Sequence, residues 1–175
     1  MHGINESLEF RPVGVAVLTV SDTRTVENDT SGDTLAARIE TACHRLAARD
    51  LLRDDLGAIR HRIIDWAARD DIAAIITTGG TGLTGRDVTV EAIRPLFDKE
   101  IDGFSVVFHM VSYDTVGLST LQSRACAGII DNTFVFCLPG STGAVKDGWD
   151  KVIAAQLDSR HRPCNLVDIM PRLGE

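Results

Sequence analysis

Three short apolar runs, each stopping at a cluster of polar or glycine residues, constrain this chain more than any other feature. Val13 to Val20 (VGVAVLTV), Ile72 to Thr77 (IAAIIT) and Thr133 to Leu138 (TFVFCL) are rich in β-branched and apolar residues without helical periodicity. They read as strands buried on both faces, the kind found in parallel sheets covered by helices on each side. Helical signals fill the intervals. Thr30 precedes Asp33 by three residues, a capping-box signal for a helix starting near Ser31, and Leu35, Ile39, Ala42 and Leu46 keep helical spacing. Arg45 to Leu52 has a helix-favouring composition, yet the alternation of elements requires a strand there. Asp54 and Asp55 can cap a following helix with Leu56, Ile59, Ile63 and Trp66 on its apolar face. Val88 to Phe97 reads as helix, and so does the segment with Val145, Trp149, Val152 and Ile153 on one face. Phe104, Val107, Phe108 and Val111 form an i, i+3, i+4, i+7 stripe, either core or a subunit contact. The expected order is β-α-β-α-β-α throughout: an α/β fold of three αβα layers around a mostly parallel sheet.

At 175 residues the chain matches one domain, spanning 1–175 with short extensions at 1–10 and 166–175. No apolar run approaches the roughly 20 residues needed to cross a bilayer. The opening MHGINESLEF has no basic segment leading into an apolar one, so a cytoplasmic location without membrane association is expected. A net charge of −7 opposes extended contact with nucleic acid, which usually needs a basic stripe. A small anionic ligand would need local donors or a metal ion to offset the acidic field. Cys43, Cys126, Cys137 and Cys164 lack metal-ligand spacing and are expected to be buried free thiols. The histidines likewise show no metal-site spacing.

In a sheet of this kind, ligands bind outside the carboxyl ends of the strands. Three loops would meet there: Ser21-Asp22-Thr23-Arg24, Thr78 to Asp87, and Pro139-Gly140-Ser141. Glycines in Thr78-Gly79-Gly80-Thr81-Gly82 would let backbone N–H groups approach phosphate oxygens, with helix N-termini adding positive partial charge. A Cβ at Gly80 should therefore block binding more than folding. Taken alone, TGGTG reads equally well as a tight turn, and Ser141 equally well as a helix cap. Arg86 and Lys146 could contribute positive charge.

The longer string TTGGTGLTGRDVT, with LTVSDTR, DTSG, STLQSRACAG and FVFCLPGSTGAVKDGWD, resembles the MoaB/MogA family of molybdenum-cofactor biosynthesis proteins over about residues 10 to 165. STLQSR and QLDSRHRPCN are more similar to the MoaB branch. The resemblance implies a molybdopterin-binding fold, in some members joining AMP from ATP to the terminal phosphate of molybdopterin with magnesium and releasing pyrophosphate. It also implies a homotrimer or homohexamer and a downstream molybdenum-insertion enzyme as partner. By the same resemblance the glycine turn binds ligand, with Ser21, Pro139, Gly140 and Ser141 as further contacts. Asp87, in RDVT, and Asp54, in Arg53-Asp54-Asp55, are the catalytic and metal-binding candidates. Arg53 stands where the family often has proline, which leaves Asp55 as a competing second acid. Val90 stands where DVTPEA has its proline.

Overall fold

Every residue of β2 (Gly14–Val20), β4 (Ala74–Thr78) and β7 (Thr133–Leu138) is buried in the computed structural model, which describes residues 3–175. Burial on both faces explains their unbroken apolar character. Val15, Val17, Ala74, Ile76, Phe134 and Phe136 contribute to one core, while Ala16, Leu18, Ile75, Val135 and Cys137 contribute to the other. The alternation follows from the two-residue period of a strand.

The remaining elements are β1 (Gly3–Ile4), α1 (Thr30–Thr41), β3 (Arg45–Leu52), α2 (Leu56–Ala67), α3 (Thr89–Ile93), β5 (Lys99–Glu100), α4 (Asp102–Val116), β6 (Cys126–Ile130), α5 (Thr142–Gly148), α6 (Ala154–Leu157), β8 (His161–Arg162) and α7 (Leu166–Ile169). A π-helical turn, Trp149–Ile153, joins α5 to α6. The main sheet has the order β3-β2-β4-β7-β6-β5. Its first four strands are parallel, whereas β6 and β5 run antiparallel to their neighbours. Residues from α1, α4, α5 and α6 fill one core, and those from α2 and α3 fill the other.

Arg45–Leu52 is a strand, as the alternation required. Three expectations are corrected. The cap of α1 is Asp29, not Thr30: its carboxylate accepts the Gly32 N–H at 3.0 Å. The order is not a pure β-α repeat, because β6 and β7 form a hairpin over Asp131-Asn132, with β5 added outside it. The Phe104 stripe also splits. Phe104 and Phe108 belong to the core, while Val107 is 43% exposed and the outward face of α4 carries Val106, Met110 and Tyr113.

The segment expected as a C-terminal extension is docked, with Val167 buried and Leu166, Met170 and Leu173 packed on the first core. At the other end, β1 pairs antiparallel with β8, and residues 1 and 2 of the expected N-terminal extension lie outside the described residues. Cys126 and Cys137 are buried thiols, but Cys43 and Cys164 are exposed. No helix among the described residues is long and apolar enough to cross a membrane.

Candidate functional site

The carboxyl ends of β2, β4 and β7 stop side by side, and their loops enclose a pocket of about 460 Å³. Ser21, Asp22 and Arg24 line it from the first loop, Thr78 to Gly82 with Arg86 and Asp87 from the second, and Pro139 and Gly140 from the third. Asp54 joins from the end of β3. Ser141 does not line the pocket. Its hydroxyl caps α5, accepting the Ala144 N–H at 3.2 Å. Lys146 is exposed and away from the pocket lining.

Close approach of the strand ends dictates the glycines. Gly79 has φ +101°, and a Cβ there would lie 2.1 Å from the Val20 carbonyl oxygen. Gly80 has φ +65°, and its Cβ would lie 2.2 Å from Thr89 Oγ1, itself donating to the Gly79 carbonyl at 2.9 Å. Side chains are strained in that left-handed region even without a clash. A valine at Gly80 would therefore strain the turn itself, so folding should suffer along with binding. Two turn donors are committed internally: Gly79 N–H to the Leu138 carbonyl at 3.0 Å, and Gly82 N–H to the Asp87 carboxylate. Thr78 Oγ1 donates to the Pro139 carbonyl at 3.0 Å, tying the second loop to the third.

The acidic pair separates into two roles. Asp55 caps α2, accepting the Ala58 N–H at 2.7 Å. Asp54 faces the pocket beside the turn, with Oδ1 2.9 Å from the ideal Cβ position of Gly80. Burial raises the Asp54 carboxyl above its ordinary value, and repulsion from Asp22 and Asp87 adds to the rise. Asp87 lies beside Gly82, its Oδ2 accepting from Thr84 N–H at 2.9 Å and Thr84 Oγ1 at 2.6 Å. Those bonds hold its carboxyl below the ordinary value. Two carboxylates thus stand beside one glycine turn, Asp87 stabilised as an anion and Asp54 disfavoured as one.

Asp22, Arg24 and Arg124 had no individual role in the sequence reading, and Arg86 only that of a positive charge. Asp22 is paired with Arg86 through Nε to Oδ2 at 2.8 Å and Nη2 to Oδ1 at 2.9 Å, across the pocket mouth. The Arg86 hydrogen bond keeps the Asp22 carboxyl low. Arg24 donates to the Gly140 carbonyl at 3.0 Å and to Ser31 and Asp29, joining the first loop to the third. Arg124 braces the turn from outside: its Nε donates to the Gly82 carbonyl at 2.8 Å and its Nη2 to the Asp87 carbonyl at 3.0 Å. Asp22 and Arg24 were within the strand-end loop that the fold class singles out. Arg124 had no such signal, since it reaches back about forty residues to grip main-chain carbonyls.

Residues 16–159 match the family described as "Probable molybdopterin binding domain". The chain belongs to the MoaB/MogA family. Molybdenum cofactor biosynthesis protein B of Escherichia coli K12 is 46% identical over 159 residues, covering 91% of this chain and 94% of the relative. A crystal structure of a molybdenum cofactor biosynthesis protein B superposes with a TM-score of 0.84 at 37% identity, over 93% of this chain and 96% of that one. The tungsten cofactor synthesizing protein MoaB from Pyrococcus furiosus gives a TM-score of 0.77 at 32% identity, over 94% and 99%. The MoaB-branch resemblance of STLQSR and QLDSRHRPCN agrees with these relatives. The family places the chain in molybdenum cofactor biosynthesis.

Proposed function

We propose that the strand-end pocket binds molybdopterin and joins AMP from ATP to its terminal phosphate, with magnesium, releasing pyrophosphate. The observation that carries the reading is the placement of Asp54 beside Gly80 and Asp87 beside Gly82, both in the pocket where three strand-end loops meet. A terminal phosphate monoester is already anionic at neutral pH, so its oxygen needs little help from a base to attack the α-phosphorus of ATP. As that P–O bond forms, the bond from the α-phosphorus to the bridging oxygen breaks and pyrophosphate departs.

Asp54 and Asp87 fit magnesium by their chemistry. No group of three His, Cys, Asp or Glu among the described residues forms a complete cage, but magnesium commonly takes one or two carboxylates and completes its shell with phosphate oxygens and water. Asp54, pushed up by its burial and by the neighbouring Asp22 and Asp87, is a hard oxygen donor whose charge a cation would relieve. When bound, magnesium would neutralise charge that otherwise keeps two polyanionic substrates apart. The chain's own contribution is positioning and electrostatics. Turn amides and the Gly140 edge would hold phosphate, Asp54 and Asp87 would hold the cation, and Arg24 and Arg124 tie the loops together.

The test is to incubate the pure protein with molybdopterin and Mg-ATP and quantify adenylylated molybdopterin together with pyrophosphate. Equal amounts of both products are expected. Pterin binding without AMP transfer would instead identify a non-catalytic pterin-binding member, and ATP binding without pterin affinity would overturn the assignment of the pocket.

A further inference from the structure

Cys126 and Cys137 are register partners across the antiparallel β6–β7 pair. Both belong to the same core beneath α2 and α3, and they are 1% and 0% exposed. Directly opposed residues in such a pair have Cα atoms about 4.5 to 5.5 Å apart, inside the span a disulfide bridges. The two sulfurs are therefore close without any movement of the strands. On the far side of Cys137, its parallel register partner is Thr77, whose buried hydroxyl has no hydrogen-bond partner. A row of Thr77, Cys137 and Cys126 thus places polar and nucleophilic groups in an otherwise apolar layer.

The ends of these strands belong to the pocket. Two residues before Cys126 is Arg124, which grips the carbonyls of Gly82 and Asp87. Two residues after Cys137 is Pro139, which lines the pocket and accepts from Thr78 Oγ1. Cys126 opens β6 and is paired only with β7, since β5 pairs Gly128 and Ile129. Its thiol is held below the ordinary value by the Cys137 thiol and by Arg94 and Arg124, against the opposing effects of burial and Glu100.

We propose that Cys126 and Cys137 form a redox-convertible dithiol that takes a peroxide as oxidant and, once bridged, stiffens the glycine turn. In the first step the Cys126 thiolate sulfur attacks one oxygen of hydrogen peroxide, the O–O bond breaks, and hydroxide leaves and is protonated to water. The product is a sulfenic acid at Cys126. In the second step the Cys137 sulfur displaces the hydroxyl of that sulfenic acid, forming the S–S bond and releasing a second water. Two thiols lose their hydrogens, and one peroxide is reduced to two waters. The bridge fixes the strand that follows Arg124 to the strand leading into Pro139.

The experiment begins with the folded full chain, its exposed Cys43 and Cys164 blocked by N-ethylmaleimide. The protein is then exposed to hydrogen peroxide, and peptide mapping with and without dithiothreitol is followed by hydrogen exchange. A Cys126–Cys137 linked peptide that disappears on reduction is expected, with exchange of the Thr78–Asp87 segment slowed several-fold in the bridged form. Cys126→Ser and Cys137→Ser should each abolish the linked peptide and leave exchange unchanged by peroxide. A folded protein that yields no linked peptide overturns the proposal, as does overoxidation of Cys126 alone. A bridge that leaves the turn's exchange rate unchanged overturns its link to the pocket.

Discussion

Asp54 and Asp55 are adjacent in the chain and differ entirely in what they touch. Asp54 faces the pocket and Asp55 caps α2, so their substitutions should separate function from structure. Asp54→Asn and Asp87→Asn should each nearly abolish AMP transfer while pterin binding, followed by fluorescence titration, stays close to wild type. Asp55→Asn should transfer AMP normally because Asn caps as well as Asp, whereas Asp55→Ala should lose about 1 kcal/mol of stability in urea with turnover retained. Wild-type transfer by both Asn variants across a magnesium titration would refute the roles given to Asp54 and Asp87. Asp29 makes a prediction about pH. Burial pushes its carboxyl up, but Arg49, Thr19 Oγ1 and the Gly32 N–H outweigh burial and leave it below the unfolded value of 3.8. Between the two values the unfolded chain binds more protons. The stability Asp29 contributes is therefore fully present above the unfolded value and is lost as pH falls through the folded one. Urea midpoints over an acidic pH series should show a shallower acid-side loss for Asp29→Asn than for wild type; parallel curves would contradict this.

Elements buried on both faces were legible because their sequences have few alternatives: a run such as TFVFCL, stopped by Pro139-Gly140, fits no amphipathic helix. The same logic located the pocket, since the parallel arrangement brings the ends of β2, β4 and β7 to one edge. What stayed hidden depends on pairings between distant segments. Cys126–Ile130 is five residues with a glycine in the middle, too short and plain to declare itself as an antiparallel strand. The Asp22–Arg86 pair spans 64 residues, and no periodicity links its ends. Arg124 grips backbone carbonyls, which any sequence supplies. Its replacement tests the element-level account: Arg124→Gln should raise KM for molybdopterin several-fold and speed amide exchange of Thr78–Asp87, with far-UV circular dichroism unchanged. An unaltered KM and exchange rate would show that the turn holds its shape without the brace. Gly80→Val, in contrast, should lower the melting temperature as well as binding, because its Cβ collides with Thr89.

The whole molecule leaves an apolar surface uncovered. Val106, Met110, Tyr113 and Val116 on α4, with Leu118 and Leu121 beyond it, are each at least half exposed. A monomer seldom presents so continuous a patch, and a homo-oligomer would bury it. Light scattering at micromolar concentration should therefore give a multiple of 19.0 kDa, and Met110→Glu should shift it downward; a wild-type mass of 19.0 kDa would return the patch to solvent. The pocket at the carboxyl edge of the parallel strands is proposed to receive the pterin phosphate. Hydrogen exchange followed by mass spectrometry, with and without saturating molybdopterin, tests it most directly. Slowed exchange confined to Ser21–Arg24, Thr78–Asp87 and the Gly140 amide is the result expected, and protection that falls elsewhere while these three loops exchange unchanged would contradict it.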